Sequence, residues 1–191
     1  MKRLSKALAC VALCATTLAG CVSPGGDTRD QQYASAMRMH DEVLETATKR
    51  WPKLQAEIDG SVGYAVFDTG VLKIFIIGTA NGYGVVVDNA SGVRTIVDNF
   101  AIELGPGIEV SNTNGIIVFH TKEAFDAAMD PESGWEFGGS ALLGLEFGDF
   151  GGDVSATSVG GETSSYRNME NGIGIHASIF WLDSDRDEDL N

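Results

Sequence analysis

Val62-Gly-Tyr-Ala-Val-Phe67 and Val71-Leu-Lys-Ile-Phe-Ile-Ile77, separated by Asp68-Thr-Gly70, decide the fold class of this chain. Both runs are crowded with β-branched and aromatic residues, and the Asp-Thr-Gly between them is a turn signal. The pattern continues outward. Gly82-Tyr-Gly-Val-Val-Val87 leads through Asp88-Asn-Ala-Ser-Gly92 into Val93-Arg-Thr-Ile-Val97. Gly78-Thr-Ala-Asn-Gly82-Tyr-Gly84 reads as a hairpin that needs positive φ. Phe100 to Val110 reads as a strand bent at Gly105-Pro106-Gly107, and Gly115-Ile-Ile-Val-Phe119 as a short apolar strand. Two or three further strands are expected between Trp135 and Leu182. The class is α+β and mostly β: an antiparallel sheet or small barrel-like core, with an N-terminal amphipathic helix and one short internal helix.

The N-terminal helix is expected over 31–51. At about 100° per residue, Tyr33, Met37, His40, Leu44, Ala47 and Trp51 fall in one sector, with Arg38, Asp41, Glu42, Glu45 and Lys49 outside it. Pro52 disfavours helix at Trp51 and ends the segment there. The stripe either packs on the core or enters a lipid headgroup layer. Thr121 is placed to cap the internal helix, which carries Glu123 in its first turn, runs through Met129 and is closed by Pro131.

Residues 1–20 supply an address. Lys2, Arg3 and Lys6 form a positive start, residues 7 to 20 carry no charge, and Leu18-Ala19-Gly20 precedes Cys21. This is a secretory signal pattern, and a cysteine at the cleavage point looks like a bacterial lipoprotein signal, in which Cys21 would be acylated and become the new N-terminus. The run is too short and too interrupted for a transmembrane span, which needs about 20 apolar residues. Residues 21–30, with Ser23-Pro24-Gly25-Gly26, are expected to be the acylated cysteine and a flexible tether. Residues 31–191 then form a single domain ending in an acidic tail, 183–191. Val22 rather than aspartate after the cysteine favours outer-membrane sorting, with the domain facing the periplasm.

Composition narrows the function classes. Cleavage removes Cys10 and Cys14, so the mature chain keeps one cysteine, the acylated one; a disulfide, a cysteine nucleophile and a thiolate metal site are all excluded. Formal charge is −14 for the whole chain, and loss of Lys2, Arg3 and Lys6 with no acid takes it to −17. Such an acidic chain argues against nucleic acid, which requires phosphate neutralisation. It also argues against broad electrostatic adhesion to anionic membranes, so acyl chains must hold the protein at a bilayer.

Catalytic patterns find no support. There is no glycine followed by Lys-Ser or Lys-Thr, no helix-opening dinucleotide fingerprint, and no Gly-x-Ser-x-Gly elbow. His40 lies on the helix stripe as a satisfied core histidine; His120, near Glu123, lacks a third metal partner; His176 sits in an alternating strand. Asp183, Asp185 and Asp187 have the spacing that starts a calcium loop, but Glu188 replaces the turn glycine, and a solvated acidic tail is preferred. No cofactor and no metal are expected. Lys73, the one charge within 71–77, either alternates outward on a half-solvated strand or contacts an anionic headgroup.

Residues 57–187 resemble the SYLF domain, a lipid-binding module of eukaryotic membrane-trafficking and actin-patch proteins and of bacterial envelope lipoproteins. The resemblance rests on Gly63-Tyr-Ala-Val-Phe67 with Val71-Leu-Lys73, Phe75-Ile-Ile-Gly78, Gly82-Tyr-Gly84-Val85, Leu104-Gly-Pro-Gly107, Ile117-Val-Phe119 with Thr121 to Phe125, Ser165-Tyr166-Arg167, Gly172 and Asp185. It implies a β-rich fold that binds acidic lipids through a basic N-terminal segment. Here the bases of that segment, Lys49, Arg50 and Lys53, are offset by Glu45, Glu57 and Asp59. The expected function is a non-catalytic envelope lipoprotein with a lipid-binding domain. Cys21 is its anchor, and Lys49, Arg50, Trp51, Lys53 and Lys73 are its headgroup contacts. The alternative is a scaffold β-domain that binds a protein partner in envelope maintenance.

Overall fold

Two 26-residue strands, β1 (Gly63–Asp88) and β2 (Arg94–Phe119), pair antiparallel along their whole length. The computed structural model describes residues 22–129, 140–147, 153–157 and 161–191; the expected signal segment, residues 1–20, and the expected anchor Cys21 lie outside them. Before β1 come α1 (Arg29–Arg50) and α2 (Leu54–Asp59). After β2 come α3 (Lys122–Met129), β3 (Ser140–Phe147), β4 (Asp153–Thr157) and β5 (Thr163–Arg186). The sheet is open and antiparallel, in the order β1-β2-β5-β3, with β4 also on β5. The fold is therefore α+β, mostly β, and an open sheet rather than a closed barrel.

The expected turn at Asp68-Thr-Gly70 and the expected hairpin at 78–84 are both absent: the chain runs through them as one strand. What happens instead is a crease. Phe75 has φ 60, and the β1–β2 register slips between Phe75 and Ile77. Opposite lies Gly105, at φ 142, in the Gly105-Pro106-Gly107 bend that the sequence predicts. Beyond the crease β1 doubles over its own first half. A Cβ at Gly82 would collide with the Asp68 carbonyl, and one at Gly84 with the Phe67 ring. Those glycines serve close backbone approach, not a turn.

Doubling over buries both faces of the strand ends. Between the layers lie Ala65, Phe67, Val71, Ala80, Val86 and Ile117, closed at the end by Phe119 and by Phe125 of α3, their rings edge-on at 5.7 Å. On the outer face Tyr64, Val66, Tyr83, Val85, Ile96 and Val118 meet α1 and α2. Thr28 caps α1, its hydroxyl accepting from Gln31 N at 3.3 Å, and the helix stops at Trp51 before Pro52 as expected. Its packed face is offset from the expected stripe. Ala36, His40, Val43 and Ala47 are buried, whereas Tyr33 is 44% exposed; small alanines let the helix sit close on the strands. The short α2, which buries Leu54 and Ile58, is not foreseen by the sequence reading.

Two segments expected to be loose are docked. Val22 packs against the outer cluster, Pro24 is buried, and Gly25 N donates to Ser35 Oγ at 3.1 Å. At the other end β5 runs to Arg186, Leu190 is buried, and Asn191 Oδ1 accepts from Ile96 N at 2.8 Å. Hydrogen bonds to the sheet hold that end of the chain, despite its charge.

Candidate functional site

At the crease the usual rule of a soluble strand is inverted. Along β2, Phe100, Ile102, Leu104, Ile108 and Val110 are exposed, while the alternate residues Asn99, Glu103, Glu109, Ser111 and Thr113 are buried. From β1 the crease adds Ile74, Phe75, Ile76 and Ile77, with Phe75 at 72% exposure. The ladder sets Ile173, Ile175, Ile179 and Trp181 of β5 opposite Val110, Ile108, Leu104 and Ile102, and Leu145 and Ala141 of β3 opposite Ile175 and Ile179. Apolar outside and polar inside is the pattern of strands that meet lipid. Monomeric soluble proteins rarely leave so contiguous an apolar surface uncovered. No helix among the described residues is long and apolar enough to cross a membrane; the apolar surface here belongs to strands.

Beneath that surface is a charge network. Lys73 Nζ donates to Glu103 Oε2 at 3.4 Å, Arg167 donates to Glu103 Oε1 at 3.0 Å and to Glu109, and Ser111 Oγ donates to Glu109 Oε1 at 2.5 Å. Lys73 and Glu109 are completely buried and Arg167 nearly so. Two bases and two acids compensate each other, which is what burying charge requires.

Lys73 therefore corrects both sequence readings. It neither points outward nor reaches a headgroup, because the second half of β1 folds over it: a Cβ at Gly78 would lie 2.9 Å from its side chain. The remaining headgroup candidates gather at the end of α1. Lys49 pairs with Glu45 at 2.6 Å on the exposed helix face, and Lys53 is exposed. Arg50 donates to Asn168 Oδ1 at 2.7 Å and lies 6.0 Å from the Trp51 ring centre, while Trp51 is tilted against Tyr166 at 5.2 Å. Asn168 stands opposite Asn114, seven residues along β2 from Gly107, about 23 Å at the rise of a strand. The structure thus separates the basic cluster from the apolar crease. Sequence reasoning missed Phe75, Ile76, Ile77 and Ile108 as site residues; the alternation of Phe100 to Val110 was the available signal.

The histidines are structural where their side chains are described. His40 is fully buried, its Nε2 3.2 Å from Tyr64 Oη and its Nδ1 2.8 Å from Asp41; burial holds its pKa below the ordinary value. His120 Nε2 meets Ser164 Oγ at 2.8 Å. His176 stands opposite Gly107 in the ladder. Asp187, assigned with Asp183 and Asp185 to an acidic tail rather than a calcium loop, caps the last turn, accepting from Asp189 N and Leu190 N.

No protein-family model matches this chain. Among curated proteins it is similar to beta cell expansion factor A of Aeromonas veronii, 29% identical over 154 residues that span 78% of this chain and 57% of that protein. The chain thus spans little more than half the length of that relative.

Proposed function

We propose that this chain is a membrane-anchored envelope lipoprotein of SYLF type. Its domain binds lipid through the apolar crease rather than through the basic end of α1, and it performs no catalysis. Cys21 carries the acyl chains, and the protein sits at the outer membrane facing the periplasm. The observation that carries the reading is the inverted alternation of β2, apolar out and compensated charge in.

Magnitudes favour the crease. Burying one large apolar side chain is worth about 1.5–3 kcal/mol, whereas one base at an anionic surface contributes about 1 kcal/mol. Four exposed side chains at Ile74 to Ile77 outweigh Lys49, Arg50 and Lys53, especially with Lys49 already paired to Glu45. The anchor is compatible with this orientation. Going back from Thr28, the chain passes Ser35 and brings Val22 beside Gly70, whose Cβ would lie 3.2 Å from it, four residues before Ile74.

The test is co-sedimentation of unacylated protein, Cys21→Ser, with phosphatidylethanolamine–phosphatidylglycerol vesicles. Binding is expected, with F75D combined with I77D abolishing it and alanine at Lys49, Arg50 and Lys53 weakening it only slightly. No binding at low salt removes the lipid reading. Loss with the alanine set alone returns the site to the helix end. Capture of a protein partner that survives the aspartate substitutions would favour the scaffold alternative.

A further inference from the structure

A cleft of about 400 Å³ lies between α1 and the outer face of the sheet, away from the crease. Its floor is a polar row laid across three strands by the register: Asp68 opposite Asn114, and Asn114 opposite Asn168. Glu170 extends the row, accepting from Asn114 Nδ2 at 2.7 Å. Tyr83, Tyr166 and Trp51 supply aromatic surface around it, and Val43 and Ala47 of α1 lie above. The volume is within the range of small-molecule clefts, roughly 300–1,000 Å³.

The charge in this cleft is unlike that of the interior. Glu103 and Glu109 are matched by Lys73 and Arg167. Asp68 and Glu170 have no ion-pair partner among the described residues, although they repel each other and Asp68 is substantially buried. Burial, then Glu170, pushes the Asp68 carboxyl up to about 6, and no base acts against them. Arg38, Glu42 and Arg50 line the helix side; Arg50 is engaged with Asn168. Two carboxylates on one polar row, neither ion-paired among the described residues although Arg38 and Arg50 line the opposite wall, form half of a recognition pair. Aromatic walls select an organic cation over a hydrated one, since ring faces attract ammonium groups and their carbon substituents. No group of three or more His, Cys, Asp or Glu side chains among the described residues could hold a metal ion.

We propose that this cleft binds a small organic ammonium compound, its nitrogen against Asp68 and Glu170 and its carbon body against Tyr83, Tyr166 and Trp51. The site is independent of the lipid-binding crease and stands or falls separately from it.

Calorimetric titration of the purified protein near neutral pH and at low salt, with diaminobutane, choline and butanediol as probes, tests the assignment. At least one of the two amines is expected to bind saturably and the uncharged diol not at all. D68N combined with E170Q, both nearly isosteric, is expected to weaken amine binding at least tenfold while unfolding remains cooperative. Should that pair fail to fold, D68N alone must weaken binding at least threefold. Absence of saturable binding by either amine, equal binding of the diol, or undiminished binding by the folded variants overturns the proposal.

Discussion

Lys73 and Glu103 face each other at 3.4 Å with side-chain exposures of 0% and 4%, thirty positions apart in sequence and on adjacent strands. Arg167 then ties Glu103 to Glu109. Removing one member of a buried pair leaves uncompensated charge, at a cost of about 3–5 kcal/mol. K73M is therefore expected to lower stability to urea by about 3 kcal/mol. Adding Glu103→Leu leaves Arg167 balanced by Glu109 and should restore most of that loss. A K73M effect confined to vesicle binding, with stability unchanged, would contradict the buried pairing.

Phe75 combines φ 60 with 72% exposure. A bulky residue in the left-handed region is strained by about 1–2 kcal/mol, and its ring has little packing with which to offset the strain. Phe75→Gly is expected to raise stability by up to about 1 kcal/mol, after the greater freedom of glycine in the unfolded chain is counted. The same substitution should reduce partitioning to vesicles. Denaturant unfolding and co-sedimentation of one protein sample read the two opposed effects.

Gly82 lies directly over the Asp68 carbonyl, where an added Cβ has no room. Backbone cannot step aside as a flexible side chain can, so G82A should cost about 3 kcal/mol, at the upper end of overpacking effects. G92A provides the comparison. Gly92 has open space around it but φ +71, so its loss is limited to strain of about 1 kcal/mol. Thermal unfolding of the two variants should rank them in that order.

Acid acts on His40 and Asp68 in opposite senses. Burial lowers the His40 pKa below 6.5, against the pull of Asp41 and with a small push from Arg94. The unfolded chain takes up this proton near pH 6.5 and the folded chain does not, so stability is lost as pH falls below that value. Asp68, facing Glu170, Tyr83 and the helix residues Arg38, Glu42 and Arg50, is raised from 3.8 to about 6. Its folded form holds a proton that the unfolded chain has released, so stability falls as pH rises from about 4 to 6. H40Q should flatten the loss between pH 6.5 and 5. D68N should stabilise the protein at neutral pH by about 1–2 kcal/mol and leave it unchanged near pH 4. Unfolding midpoints across that range check both.

Local signals were readable where local physics decides. Thr121 and Pro52 marked helix ends because a capping hydroxyl and a missing N–H act within a few residues; Thr121 Oγ1 does accept from Ala124 N at 3.2 Å. Asp88-Asn-Ala-Ser-Gly92 formed its turn, with the Asp88 carboxylate accepting from Ala90 N and Ser91 Oγ. Asp68-Thr-Gly70 and Gly78 to Gly84 misled. A glycine that allows a turn and a glycine that allows two backbones to touch are written with the same letter. Tyr33 misled for a similar reason, since 3.6-residue periodicity locates an apolar sector but not which edge of it meets the sheet.

The sequence by itself determined the β-rich class, the two main helices, the bend at Gly105 to Gly107 and the acidity of the chain, because each follows from backbone preference, short-range spacing or composition. Only the tertiary structure decided which side of β2 is inside. Alternation assigns Glu103 and Leu104 to opposite faces, but burial depends on the layer that covers a face. That layer is the other half of the folded β1–β2 pair, with Lys73 matched to Glu103 and Arg167 to Glu103 and Glu109, which a crease at Phe75 and long-range strand pairing bring together.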